Sequence, residues 1–117
     1  MKVILAGSRT ITEFKHLEAA ILASELAITE VVCGEARGVD EMGRRWALIH
    51  RVPIKSFPAK WEADKRMAGF IRNVEMAKYA DALIAVWDGW STGTAHMIAT
   101  AASLGMPVMI YKTQTDL

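Results

Sequence analysis

Glycine stands beside hydroxyl, guanidinium or carboxyl side chains in three short segments of this chain: Gly7-Ser8-Arg9-Thr10, Gly34-Glu35-Ala36-Arg37-Gly38-Val39-Asp40 and Asp88-Gly89-Trp90-Ser91-Thr92-Gly93-Thr94. A glycine lets backbone N–H groups approach a ligand closely, and hydroxyls add donors and acceptors that a plain turn does not need. Arg9, Arg37 and Arg72 could add the planar, bidentate bonds that phosphates accept. Such a set suits recognition of an anion, phosphate above all, and Trp61 offers either a hydrophobic plug or a face on which a base could stack. Each residue alone has an ordinary explanation: Ser91 or Thr92 as a helix cap, Gly93 as a turn, Arg9 as a solvated charge, Asp40 as a complement to a helix dipole. Their concentration is what points to a site.

Two common phosphate motifs are ruled out. No Gly-Lys-[Ser/Thr] follows the glycines, and GSRTIT lacks the G-x-G-x-x-G spacing. Cys33 is the sole cysteine, and His96 has no second His or Cys at metal-ligand spacing, so no metal and no resident cofactor are expected.

The elements that must position these segments alternate along the chain. KVILAG (2–7), TEVVCG (29–34), VPIKSF (52–57), ADALIAVW (80–87) and MPVMIY (106–111) read as strands. Between them, Phe14, Leu17, Ile21 and Leu22 mark one helix, and Val39, Met42, Trp46 and Ile49 a second. Met67, Phe70, Val74 and Ala77 mark a third, and GTAHMIATAASLG a fourth that Gly105 stops. The polar connection PAKWEADKRMAG (58–69) is the one long loop.

This alternation predicts a doubly wound parallel α/β sheet of five strands in the order 3-2-1-4-5, with helices on both faces. Strands 1 and 4 then lie side by side at the topological switch point, where open α/β sheets bind ligands at the carboxyl ends of the strands. All three glycine-containing segments fall on that edge.

The 117 residues, 52% hydrophobic and 23% charged, are expected to form one domain over 1–117. No run of about 18 apolar residues offers a membrane span, and Gly7-Ser8-Arg9 interrupts the N-terminal apolar stretch before a signal-peptide core could form. A cytoplasmic protein is expected. With a net charge of +1 the chain lacks the basic excess of a general nucleic-acid binder.

The ordered set GSRT, GEARGVDEMGRRWA, FPAKW, AGFIRNVEMAKYAD and LIAVWDGWSTGTAHMI resembles the YspA-type family of the SLOG superfamily, relatives of the Lonely Guy proteins and of DprA. The resemblance spans nearly the whole chain and implies a Rossmann-like domain, expected to be a homodimer, that binds a nucleotide or nucleotide-derived ligand. Where the Lonely Guy enzymes carry P-G-G-x-G-T-x-x-E, this chain has Met97 in place of the catalytic glutamate, while Arg72, within IRN, is similar to their partner arginine. Phe70 stands where YspA-type proteins often have proline, which is expected to alter only the start of that helix.

Two functions compete. One is a sensor or sequestering module that holds its ligand through Gly7, Ser8, Arg9, Gly34, Arg37, Gly38, Asp40, Trp61, Arg72, Asn73, Asp88, Ser91, Gly93 and Thr94. The other is hydrolysis of an N-glycosidic bond, with Arg72 beside a carboxylate of Asp40, Asp88 or Glu35 acting in place of the missing glutamate.

Overall fold

The computed structural model describes residues 1–60, 62 and 67–113. In chain order the elements are β1 (Lys2–Gly7), α1 (Phe14–Ser24), β2 (Glu30–Cys33), α2 (Val39–Ile49), β3 (Ile54–Ser56), α3 (Ala68–Tyr79), β4 (Ala82–Trp87), α4 (Thr92–Ser103) and β5 (Val108–Lys112). The strands form one parallel sheet in the order β3-β2-β1-β4-β5. β1 and β4 are direct neighbours, with Val3 opposite Ala82 and Gly7 opposite Val86. The expected topology is thus the observed one.

Residue alternation along the central strands divides the core in two. Val3, Leu5, Ile84 and Val86 face α1 and α2, where Leu17, Ala20, Val39, Met42 and Ala47 meet them. Ile4, Ala6, Leu83 and Ala85 face α3 and α4, against Met76, Ala77, Met97 and Ala101. Burial on both faces explains why these strands read as continuous apolar runs instead of alternating ones. The short edge strand β3 and the opposite edge strand β5 are only partly covered and carry Lys55 and Lys112, charges that discourage pairing with another sheet.

Two helical faces differ from the sequence reading. On α2, Ile49 is 58% exposed, and the inward positions are Val39, Met42, Gly43 and Ala47. Gly43 lets this helix sit close to the sheet, since a Cβ there would come within 3.0 Å of the Leu5 Cβ. On α3, Met67 is exposed and the inward set is Ala68, Asn73, Met76 and Ala77. In both cases small or polar residues share the inward face with a single methionine, Met42 on α2 and Met76 on α3. Gly105 ends α4 as expected. With φ of +74° it donates its N–H to Ala102, and the Met106 N–H bonds to Ala101, the paired bonds of a Schellman motif. Among the described residues no helix is long and apolar enough to cross a membrane.

Candidate functional site

The loops leaving β1 and β4 depart toward opposite faces of the sheet, and hydrogen bonds tie their first residues together beneath the crevice between them. Ser8 is fully buried; its N–H donates to the Val86 carbonyl at 3.0 Å, and its hydroxyl accepts the Asp88 N–H at 3.0 Å. Asp88 organises the rest of the β4–α4 loop. Its Oδ1 accepts the N–H groups of Trp90 and Ser91, both at 2.8 Å, and its Oδ2 accepts the hydroxyls of Ser91 and Thr10, both at 2.9 Å. Partial desolvation pushes the Asp88 pKa upward, but these four bonds outweigh it and hold the carboxyl well below the usual carboxylate range. The structure therefore places Ser8 beneath the crevice and commits Asp88 to tying two loops together. Neither lines the cavity, although both are expected from sequence to contact a ligand.

Above them lies a cleft of about 380 Å³, within the size range of small-ligand sites. The β1–α1 segment contributes Gly7, Arg9 and Thr10, and α2 contributes Asp40; α3 gives Phe70, Arg72, Asn73 and Met76, and the start of α4 gives Ser91 through Thr94 with Met97. Ser91 is the N-cap of α4 but its side chain caps nothing, because its hydroxyl is turned to Asp88, and the first turn holds no acidic residue. The first N–H groups of a helix have no intrahelical acceptor and carry the positive end of its dipole. Here they open onto the cleft. Gly93 sits in that first turn, and a Cβ built on it would meet nothing within 4 Å. Neither packing nor a positive φ requires glycine there. What its lack of a side chain does is leave room for an atom to approach the helix end.

The other glycines have different work. A Cβ on Gly7 would overlap the Val86 carbonyl and stand 2.8 Å from Val39 Cγ2, so Gly7 permits the close packing of β1 between β4 and α2. Gly38 adopts φ of +76° against the Ser8 carbonyl and Arg9, which brings the start of α2 onto the β1–α1 loop. A Cβ on Gly34 would overlap the Arg72 guanidinium and lie 2.8 Å from Asp40 Oδ2. Gly34 is thus a seat for Arg72 and not itself a cleft wall.

Arg72 is half-buried, lies along the cleft and donates from Nε to Asn73 Oδ1 at 3.3 Å. Among the described residues neither it nor Arg9 has a carboxylate within ion-pair distance. Asp40 is 5% exposed and accepts the Ala36 N–H at 3.3 Å. Burial raises its pKa to about 6, against the opposing pull of Arg72, the Ala36 N–H and Arg9. The folded state therefore holds this proton more tightly than the unfolded chain between the ordinary pKa of 3.8 and about 6. Stability accordingly falls as pH rises through that window, and the deficit persists above it. Asp40→Asn, which mimics the protonated form, is expected to stabilise the protein by about 1–3 kcal/mol at pH 7 and by almost nothing at pH 4. Urea denaturation of both proteins across that range measures the difference.

Arg37 and Glu35 lie outside the main cleft. They border an adjoining hollow of about 300 Å³ that shares Arg9, Ala36 and Arg72 with it and reaches Pro58 and Ala59. Glu35 stands 4.0 Å from Arg44. Trp61 lies outside the described residues. Among the described residues no group of three His, Cys, Asp or Glu side chains could hold a metal.

Sequence reasoning missed Thr10, Met76 and above all Phe70 as cleft walls. The helical spacing of Phe70, Asn73 and Met76–Ala77 on one face was the available signal. Trp90, in the middle of the loop, is 80% exposed.

Five parallel strands in this order, with a ligand-sized cleft at the switch point, define a Rossmann-like α/β protein. The family model described as the YspA, cpYpsA-related SLOG family matches residues 1–63, and the chain belongs to that family. It is similar to the Gene 61 protein of Mycobacterium phage D29, at 36% identity over 118 residues covering 92% of this chain and 94% of the phage protein. No solved structure matches the chain.

Proposed function

We propose that the cleft binds a nucleotide or nucleotide-derived ligand, with a phosphate at the open N-terminus of α4, and that the protein acts as a sensor or sequestering module. The observation that carries this reading is the uncapped first turn of α4 around Gly93, facing a cleft that Arg9 and Arg72 also line. Backbone donors, a helix dipole and two guanidinium groups converge where an anion would sit. Membership of a SLOG family is compatible with a nucleotide-related ligand. The same reading keeps the chain as one cytoplasmic domain that pairs with a second copy through α4, whose outward residues include Ala99 and Ala102 and whose C-cap is the 53% exposed Leu104.

A second reading, N-glycoside hydrolysis, is favoured by one observation: Asp40 is a buried carboxyl that lines the cleft, with its pKa raised to about 6, toward the range where a carboxylate serves as a general base.

Calorimetric titration with adenosine monophosphate, adenosine diphosphate, ribose 5-phosphate and adenosine tests the binding reading. The phosphate-bearing members are expected to bind more tightly than adenosine. Arg9→Ala, at an exposed position, should weaken them by about fivefold through loss of a charge-assisted bond. Equal affinity for adenosine and its monophosphate, or no binding by any of the four, would reject the phosphate site.

A further inference from the structure

The wall of the cleft contributed by α3 is aromatic. Phe70 is half-buried, lines the cleft, and stacks on His96 of α4 with ring centroids 4.2 Å apart and planes tilted by 22°. Among the described residues it is the aromatic side chain in that lining. Phe57 and Tyr79 pack on each other elsewhere, and the exposed Trp90 is not part of the wall.

The stack is fixed by a single buried amide. Asn73, 5% exposed, donates from Nδ2 to the Gly93 carbonyl at 3.2 Å and faces His96 Nδ1, also at 3.2 Å, while its Oδ1 accepts Arg72 Nε at 3.3 Å. Turning the amide over would set its oxygen against the Gly93 carbonyl and its NH₂ against a guanidinium N–H, so one orientation satisfies the network. In that orientation His96 Nδ1 must be the unprotonated acceptor. Burial favours the same neutral ring by lowering the His96 pKa. Asn73 therefore holds three things in mutual register: the glycine of the anion cradle, the arginine beside it and the histidine behind Phe70.

We infer that Phe70, backed by His96, is the platform on which the planar base of the ligand stacks, and that Asn73 is the positioning residue that sets this platform relative to the phosphate cradle. The inference rests on the proposed nucleotide site and assigns the part of it that recognises a nucleobase. An aromatic face attracts any base through its π-system, with little discrimination among bases. The class of ligand is thus a base, a sugar and at least one phosphate, and among the described residues the aromatic contact falls to Phe70.

The test uses adenosine monophosphate, ribose 5-phosphate and adenosine with the parent protein, Phe70→Leu and Phe70→Tyr. The parent should bind adenosine monophosphate about tenfold more tightly than ribose 5-phosphate, the margin a stacked base supplies. Phe70→Leu should bring the two to near equality with ribose 5-phosphate unchanged, and Phe70→Tyr, which keeps the ring, should retain the margin. An unchanged margin in Phe70→Leu overturns the proposal, and so does an equal loss for both phosphates, which would make Phe70 a structural prop. Adenosine that binds the parent and is lost in Phe70→Leu, with ribose 5-phosphate never bound, keeps the platform and removes the phosphate cradle. No binding of any probe overturns both. For Asn73, the readout is the His96 ring titration followed by NMR. Asn73→Ala should move its midpoint upward by removing the donor that favours the neutral ring, and an unmoved midpoint overturns the positioning role.

Discussion

Gly93→Val is expected to weaken binding of a nucleoside monophosphate by about 100-fold while leaving the fold intact. The added side chain starts from a Cβ that meets no protein atom within 4 Å, so it extends into the cleft without disturbing the core. There it occupies the space through which a phosphate oxygen reaches the N–H groups of the first turn of α4. Two charge-assisted hydrogen bonds at about 1.5 kcal/mol each amount to that factor at tenfold per 1.4 kcal/mol. Valine is, if anything, a better helix residue than glycine, so the unfolding midpoint should stay the same or rise slightly. Calorimetric titration and thermal unfolding on the same samples separate the two effects. Undiminished affinity in a folded Gly93→Val protein would move the phosphate away from α4. A milder loss in Gly93→Ala would follow from its smaller intrusion.

The contrast between Gly93 and the other glycines shows what a sequence can and cannot convey about such a site. The strands and their order were legible, because a strand buried on both faces must be apolar throughout and the alternation with helical periodicity leaves few topologies. Which end of the sheet carries the cleft was legible for the same reason. The role of each polar residue there was not. Gly7, Gly34, Gly38 and Gly93 look alike in sequence, yet the first three accommodate Val86, Arg72 and the Ser8–Arg9 backbone, while Gly93 alone of the four faces open space. Ser8 and Ser91 are equivalent on paper, but both serve Asp88. These assignments depend on which atoms the third dimension brings together, and the place of Phe70 in the cleft wall is one of them.

That distinction bears directly on the chemistry expected of the cleft. Met97, 1% exposed, lines it at the position where the resemblance to Lonely Guy enzymes would put a catalytic glutamate, and a thioether can neither accept a proton nor stabilise positive charge on a sugar. Of the carboxylates considered as substitutes, Asp88 has its acceptor positions filled by four hydrogen bonds, and Glu35 lies in the adjoining hollow near Arg44. Asp40 remains in the cleft, but it is buried beside the seat of Arg72 and half-protonated only near pH 6. At pH 7.5 it is mostly ionised, which suits a base better than an acid. Loss of general acid–base assistance removes roughly 10²–10⁴ in rate. Adenosine monophosphate incubated with the protein at pH 7.5 is therefore expected to remain intact, with free adenine at the level of the protein-free control by chromatography. If Asp40 acts instead, adenine appears and its rate falls at least 100-fold in Asp40→Asn, a variant expected to be more stable than the parent, so that the loss could not be assigned to unfolding. Base release that depends on Asp40 would make the protein an N-glycoside hydrolase and overturn the binding-only reading.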